Sequence, residues 1–260
     1  LPKTAWPSDL DHFGVGHIFL AGEAPGLFYG YVTQGIVQKE DITENGIKYI
    51  KQDGSVGYYQ TVNKTTPVAG DVKYVDRNGD GVVDDNDRDI IGNPNPDFTY
   101  GFQTKVSWKS LSLSASFNGV QGRDILNVGN RYNNTPGTKS NNVTRKAFQN
   151  MWTDENPSNL YPKSTFVVQN MVMDRYVEDG SYLRCSDITL SYVLPAKWTN
   201  KIGIKNTSVY ASVKNAFVIT DYSGYDPEVN SFAFDGLRPG VDMNSYPTPR
   251  SFVFGLNLTF

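Results

Sequence analysis

The sequence predicts an all-β protein whose long strands form part of an antiparallel transmembrane β-barrel with long extracellular loops. Three observations predict this fold: several segments alternate between apolar and polar residues, the connections between them are either short or very long, and the last segment ends in alternating aromatics. The 13% aromatic content, 24 glycines and 14 prolines favour strands joined by many turns.

Five segments of the chain alternate between apolar and polar residues. Phe98 to Trp108 alternates throughout and is close to the length of a tilted membrane-spanning strand. The short turn Lys109-Ser110 leads into Leu111 to Phe117, which predicts a hairpin with one apolar face. The pattern returns in three further segments, namely Asp187 to Val193 with a predicted bulge near Ser186, Val209 to Phe217, and Phe252 to Phe260.

The connections indicate which end of each strand faces outward. Lys109-Ser110 and Leu194 to Asn206 are short or moderate, whereas Gly119 to Ser181 and Asp221 to Thr248 are long. If the strands run up and down, both long connections fall on one side. Outer-membrane barrels have this asymmetry, with short periplasmic turns and long extracellular loops.

The polar face of these strands leaves two interpretations open. Ser, Thr, Gln and Lys suit a water-filled barrel lumen, and they equally suit the solvent face of an ordinary sheet. The alternative is therefore a soluble or cell-surface calcium-binding all-β module for carbohydrate binding or adhesion. The aromatic C-terminal strand favours the barrel. In a barrel Phe252, Phe254, Leu256 and Leu258 should contact lipid, whereas in a soluble module they should be buried against a second sheet.

One loop has the residue spacing of a calcium site. In DRNGDGVVDDND, from Asp76 to Asp87, oxygen-bearing residues occupy the EF-hand ligand positions, and Gly81 occupies the position of the sharp turn. The predicted ligands are Asp76, Asn78, Asp80, Val82 (through its backbone carbonyl), Asp84 and Asp87. Asp87 is shorter than the usual Glu at the last position. The sequence predicts a structural Ca²⁺, and the alternative is a solvated turn that binds no ion.

Other kinds of chemistry are not indicated. The net charge of −3 and the scattered Lys and Arg argue against a nucleic-acid surface. No apolar run is long enough for a transmembrane helix. No catalytic motif is present, so we expect no enzyme activity. Cys185 is predicted to be a small packed side chain, and His12 and His17 to be structural. Asp226 and Glu228, within SGYDPE, fit a turn better than a glycosidase pair.

Five phrases, in order, resemble the late portion of SusC/RagA-type TonB-dependent outer-membrane transporters of Bacteroidetes. They are PGLFYGYVTQGI (Pro25 to Ile36), GDVKYVDRNGDGVVDDNDRDIIGNPNPDFTYGF (Gly70 to Phe102), FNGVQGRDILN (Phe117 to Asn127), GSYLRCSDITLSYVLP (Gly180 to Pro195) and SGYDPE (Ser223 to Glu228). Cys185 departs from the larger apolar residue that is more typical there.

The resemblance implies that residues 1–260 are the C-terminal part of a 22-stranded barrel, about six strands with their loops and no plug domain. It also implies TonB-driven import of oligosaccharides or peptides into the bacterial cell. The implied partners are a SusD-like surface lipoprotein, TonB through the N-terminal part, the rest of the barrel and plug, and membrane lipid. Aromatics in the long connections are candidates to stack on substrate, namely Tyr132, Trp152, Tyr161, Tyr225 and Tyr246; the alternative is that they pack the loops.

Overall fold

The computed structural model describes residues 16–135, 142–164, 171–199 and 206–259. The chain divides into two compact units. The first, here called the core unit, consists of Leu1–Asn95, Asp124–Glu178 and Val229–Ser245. The second, the sheet unit, consists of Pro96–Arg123, Asp179–Glu228 and Tyr246–Phe260.

The described strands are β1 (His17–Ile18), β2 (Leu27–Tyr31), β3 (Thr33–Ile36), β4 (Ile42–Thr43), β5 (Gly46–Ile50), β6 (Val56–Tyr59), β7 (Thr61–Val62), β8 (Val72–Tyr74), β9 (Val82–Val83), β10 (Arg88–Gly92), β11 (Phe98–Trp108), β12 (Leu111–Gln121), β13 (Asp124–Asn127), β14 (Val177–Asp179), β15 (Tyr182–Val193), β16 (Asn206–Thr220), β17 (Val241–Asp242) and β18 (Ser251–Thr259). The α-helices are α1 (Val128–Asn134), α2 (Arg145–Asn150) and α3 (Ala196–Thr199), and 3-10 turns cover Lys39–Asp41, Asp85–Asp87 and Asp174–Tyr176. No helix in the described ranges is both long and apolar enough to cross a membrane.

The sheet unit is one antiparallel sheet with the strand order β11-β12-β15-β16-β18. All five strands predicted from the alternation are therefore present. The turn at Lys109-Ser110 and the connection after Val193 lie at one end of this sheet, whereas the connections after Gln121 and Thr220 leave from the other end. The predicted sorting of short and long connections is confirmed.

Side chains across the five strands form a continuous apolar face and a polar face. One register row of the apolar face contains Val106, Leu113, Leu190, Ala211 and Phe254. On the polar face, Ser114 pairs with Thr189, and Thr189 in turn pairs with Ser212. The apolar residues of the last strand are exposed, and Phe254 reaches 79% exposure. This is the exposure expected for a lipid-facing strand, and it does not match the burial expected in a soluble module.

The predicted bulge lies at Ser186, where the pairing register of β15 shifts against both of its neighbours. The bulge explains why sequence alternation placed the start of this strand at Asp187 rather than at Tyr182. Cys185 shares a register row with Phe117 and Phe217, while the apolar face beyond the bulge continues from Ile188. The extra residue at the bulge shifts the alternation of apolar and polar residues by one position. The parts of β15 before and after the bulge therefore do not follow one continuous alternation. Cys185 is free and buried, as predicted.

The core unit has small sheets and a hydrophobic core of its own. Its sheets have the strand orders β1-β2-β10, β3-β8, β4-β5-β6, β7-β9 and β14-β13-β17. The core takes Phe28 and Tyr74 from the first chain segment, Leu126 and Met173 from the second, and Val241 from the third. The second and third segments lie within the long connections predicted from the sequence, and no sequence pattern predicts that they share a core with the first.

Candidate functional site

The loop Asp76–Asp87 is closed by hydrogen bonds from its own backbone. The carboxylate of Asp76 accepts from the amides of Gly79 (2.6 Å) and Gly81 (2.8 Å). Gly81 has φ +85°, a conformation that side chains with a Cβ rarely adopt, so the sharp turn predicted at this position is confirmed. Asp76 is buried, which is unusual for a carboxylate on a surface loop.

Asp87 closes the other end of the loop. One of its carboxylate oxygens accepts from the amides of Arg77 (2.8 Å) and Asn78 (3.2 Å), and the other accepts from the amide of Asp84 (2.8 Å). Asp87 is also fully buried. The first and last predicted ligands are therefore both interior residues that hold the loop together.

The remaining predicted ligands lie in local turns. The Asp80 carboxylate accepts from the amide of Val82 and from the side-chain nitrogen of Asn78. Asp84 caps the 3-10 turn Asp85–Asp87 by accepting from the amide of Asn86 at 2.8 Å. Among the described residues, no three acidic, His or Cys side chains form a group suited to a metal ion. The calcium prediction therefore rests on residue type and spacing, not on converging side chains.

Two tyrosines tie this loop to the hydrophobic core. Tyr49 donates its hydroxyl to the backbone carbonyl of Asp76 at 2.7 Å, and Tyr31 donates to the carboxylate of Asp85 at 3.0 Å. Burial raises the pKa of both phenols to about 12, so both remain donors at neutral pH. Burial also raises the pKa of Asp76, an effect that its bonds to Gly81 and Gly79 oppose and that the charges of Asp87 and Asp80 reinforce.

The five candidate substrate aromatics have different environments. Trp152 and Tyr161 are buried, and the indole nitrogen of Trp152 donates to Gln38 at 3.0 Å. Tyr132 is partly buried against the core. Tyr225 and Tyr246, at 74% and 89% exposure, are the two that present a free ring to solvent. Loop packing, the alternative weighed from the sequence, describes the first three, and a substrate role stays a prediction for all five.

A buried ion cluster in the sheet unit was not predicted from the sequence. Arg184 on β15 contacts the Asp226 carboxylate at 2.5 Å and the Glu228 carboxylate at 3.3 Å. Glu228 also accepts from the Tyr182 hydroxyl (2.7 Å) and the Asn118 side chain (2.9 Å). The sequence did contain a signal, since Arg184 interrupts the apolar run of a strand and therefore needs an acidic partner.

Asp226 does form the turn predicted for SGYDPE. One of its oxygens accepts from the amide of Glu228 at 3.0 Å, and the other accepts from the amide of Thr248 at 3.1 Å. Burial would raise the pKa of this carboxyl, but the bonds to Thr248 and Glu228 together with the Arg184 charge hold it below its usual value. His17, expected to be structural, is buried, and its Nε2 donates to the Pro239 carbonyl at 3.0 Å. His12 lies outside the described residues.

Comparison with known proteins places the chain in a family, although no family model matches it. A TonB-dependent receptor of Formosa agariphila is 35% identical over 201 residues, which are 74% of this chain and 20% of that protein. The TonB-dependent receptor SusC of Bacteroides thetaiotaomicron is 34% identical over 194 residues, 72% of this chain and 17% of SusC. The chain belongs to the SusC/RagA-type TonB-dependent receptors.

Solved structures agree with this assignment. The RagAB peptide importer in its open-open state is similar over 95% of this chain and 24% of that chain, with a TM-score of 0.62 and 25% identity. The same importer in its closed-closed state gives a TM-score of 0.62 and 25% identity. The SusC/RagA-type chain described here therefore spans a quarter or less of the length of these relatives.

Proposed function

We propose that this chain is the C-terminal part of a TonB-dependent outer-membrane importer and supplies the last strands of its 22-stranded barrel. The observation that carries the proposal is the five-stranded sheet with one continuous, exposed apolar face. Membership in the SusC/RagA type supports it. A sheet with unpaired edge strands needs further strands on both sides before it can close around a pore.

The proposed activity is TonB-dependent import of oligosaccharides or peptides across the outer membrane. A SusD-like surface lipoprotein, TonB and the remainder of the barrel and plug are the proposed partners. The similarity to SusC and to a solved peptide importer supports this class of cargo. Tyr225 and Tyr246 are the proposed substrate contacts, because their exposed rings can stack on a sugar or on a peptide side chain.

Uptake by the whole transporter tests this function. Cells carrying Tyr225→Ala together with Tyr246→Ala should take up labelled glycan oligosaccharides or tryptic peptides several-fold more slowly, because each lost stacking contact costs roughly 1 kcal/mol. Phe148→Ala, which removes an exposed aromatic from α2, is the matched control and should transport normally. Equal uptake by the double variant, the control and the wild type would exclude the tyrosines as substrate contacts.

We also propose that Asp76–Asp87 binds a structural Ca²⁺ that braces this loop. Support comes from the oxygen ligands at EF-hand spacing, from Gly81 at the turn and from the two buried carboxylates, Asp76 and Asp87. The proposed ion would supply positive charge to two carboxylates that accept hydrogen bonds from backbone amides and whose negative charges act on each other. Asp76, Asn78, Asp80, the Val82 carbonyl, Asp84 and Asp87 are the residues that would hold it.

A further inference from the structure

One carboxylate, that of Asp226, hydrogen-bonds to both ends of the connection between β16 and β18, and a bond between the Ser231 and Ser245 hydroxyls (2.8 Å) joins it further along. Asp226, near its start, accepts from the Glu228 amide at 3.0 Å and from the Thr248 amide at 3.1 Å. Thr248 lies near the end of the same connection, just before β18. The Asp226 side chain therefore joins the two ends of an excursion of about twenty residues.

This carboxylate is itself held by the sheet. Arg184 lies on β15, is 94% buried at its side chain, and contacts Asp226 at 2.5 Å. The same guanidinium reaches Glu228 at 3.3 Å. Asn118 on β12 and Tyr182 on β15 also donate to Glu228, at 2.9 and 2.7 Å. Two adjacent strands thus hold both acidic residues of the SGYDPE segment.

A turn alone does not need so many contacts. An Asx turn is complete with the bond from the Glu228 amide to Asp226, and it functions on a solvated surface. Burying Arg184 and Asp226 costs desolvation, which close pairing and hydrogen bonding offset only in part, and Glu228 adds a partly exposed second carboxylate at 3.3 Å. Such an arrangement fixes position more than it adds stability, since well-packed apolar residues would stabilise the site at least as well.

The residues whose position is fixed include the two exposed tyrosines. Tyr225 directly precedes Asp226, and Tyr246 lies two residues before Thr248. Their rings are 74% and 89% exposed, so their own packing does not hold them. The Asp226 carboxylate bonds to the backbone on both sides, at Glu228 and at Thr248, and Ser245 adds bonds to Ser231 and Asp242 beside Tyr246.

We propose that Asp226 and Arg184 are positioning residues that hold Tyr225 and Tyr246 at a fixed separation, so that the two rings form one preorganised platform for substrate. The substrate part of this inference rests on the proposed function, whereas the positioning part does not. Preorganisation lowers the entropy that binding would otherwise cost.

Distance measurement between the two positions tests the positioning part. Spin labels are attached at Tyr225→Cys and Tyr246→Cys in the whole purified transporter, in which the buried Cys185 and any accessible cysteine elsewhere are replaced by Ala. The distance distribution should be narrow with Asp226 and Arg184 present. Asp226→Ala and Arg184→Ala should each widen it by about twofold, because the base of the excursion then opens locally. Arg184→Lys keeps a cation at this position and should restore part of the narrow distribution.

Asp187→Asn is the matched control. Asp187 pairs with Lys214 on the polar face of the same sheet at 2.6 Å and accepts from the Thr189 and Ser212 hydroxyls, and these three partners lie on β15 and β16. This variant should leave the distribution narrow. If Asp226→Ala does not fold, Asp226→Asn takes its place, since it keeps one acceptor oxygen and the side-chain volume but loses the charge. An unchanged width in the folded Asp226 and Arg184 variants would overturn the proposal.

Uptake separates this proposal from the proposed function. If the distribution widens in Asp226→Ala and uptake of labelled oligosaccharides and tryptic peptides falls in the same variant, both parts are supported. If the distribution widens while Tyr225→Ala and Tyr246→Ala leave uptake unchanged, the substrate role is wrong and the positioning role stands. If the width does not change, positioning is wrong whatever uptake shows.

Discussion

Arg184 and Lys214 lie on neighbouring strands, and each contacts a carboxylate, but their surroundings differ. The Arg184 side chain is 6% exposed, whereas that of Lys214 is 53% exposed. Removing one partner of a buried pair leaves an uncompensated charge and costs roughly 3–5 kcal/mol. An exposed pair contributes at most about 1 kcal/mol. An ion pair between a basic side chain and a carboxylate therefore affects stability much more at Arg184 than at Lys214.

We expect Arg184→Ala to destabilise the folded protein by roughly 3–5 kcal/mol and Lys214→Ala by about 1 kcal/mol or less. Urea unfolding of the full-length protein in lipid vesicles measures both values. Equal costs would show that the Arg184 cluster is solvated in the whole protein.

His17 predicts that the core unit is sensitive to acid. Its ring is buried against Phe28, with 5.3 Å between centroids, and Nε2 donates to Pro239. Burial lowers the pKa of His17 below 6.5, and the Arg238 charge adds to this, while the Pro239 bond and Asp235 oppose it. The unfolded chain therefore binds a proton at a higher pH than the folded chain does.

Stability linked to His17 is fully present above pH 6.5 and is lost as the pH falls from there towards the lowered pKa of the folded state. We expect the free energy of unfolding to fall between pH 7.5 and pH 5.5. His17→Gln keeps a donor for Pro239 but does not titrate, so its loss over the same range should be smaller. Identical pH profiles for the variant and the wild type would contradict this prediction.

Among the strands, β18 provides the sharpest test of the barrel. Phe254 lies on the apolar face opposite Ala211, and its neighbour Val253 lies on the polar face opposite Ser212. The two residues have nearly the same depth in the sheet but opposite surroundings. In a barrel, one side chain meets lipid and the other meets the lumen.

We expect Phe254→Lys to cost roughly 2–4 kcal/mol and Val253→Lys much less, because a charge on the lipid face must leave water. The yield of folded, heat-modifiable protein in the outer membrane measures this difference. Equal yields would argue against a lipid-facing surface on this strand.

Alternation predicts that a strand is present better than it predicts where the strand begins and ends. The regular hairpin β11-β12 begins at Phe98 and turns at Lys109-Ser110, as predicted, because its alternation is unbroken. The start of β15 was misplaced because the bulge at Ser186 reverses the parity of the pattern. Alternation predicts a strand only as far as its pairing register is continuous. A bulge interrupts that register, so the residues before and after it have to be recognised as two separate patterns.

At the scale of the whole molecule, the core unit joins chain segments that are far apart in sequence. Its core takes side chains from Leu1–Asn95, Asp124–Glu178 and Val229–Ser245, so these segments should open and close as one cooperative unit. The loop Asp76–Asp87 is tied to that core through Tyr49 and Tyr31. Loosening the loop should therefore affect all three segments.

Calcium removal tests this coupling. If the loop binds Ca²⁺, chelation should raise hydrogen exchange together in all three segments of the core unit, and added Ca²⁺ should reverse the change. Asp76→Ala should raise exchange even without chelator, since it removes the bonds from Gly79 and Gly81. Asp154→Asn, which changes an exposed carboxylate paired with Lys39 outside the loop, is the control. No response to the chelator would show that the calcium prediction is wrong, while the effect of Asp76→Ala would still measure the brace formed by the backbone amides.

The sequence by itself determined the all-β class, the five long strands and the sorting of their connections, because alternation and turn chemistry are local properties. It also determined the sharp turn at Gly81, because Gly81 occupies the turn position within the EF-hand spacing of the predicted ligands. Only the tertiary structure decided that distant segments share a core, that Trp152 lies inside it while Tyr161 is buried, and that Arg184 pairs with Asp226 and Glu228. Burial and pairing between residues remote in sequence depend on which surfaces meet in the folded chain, so a local sequence pattern does not predict them.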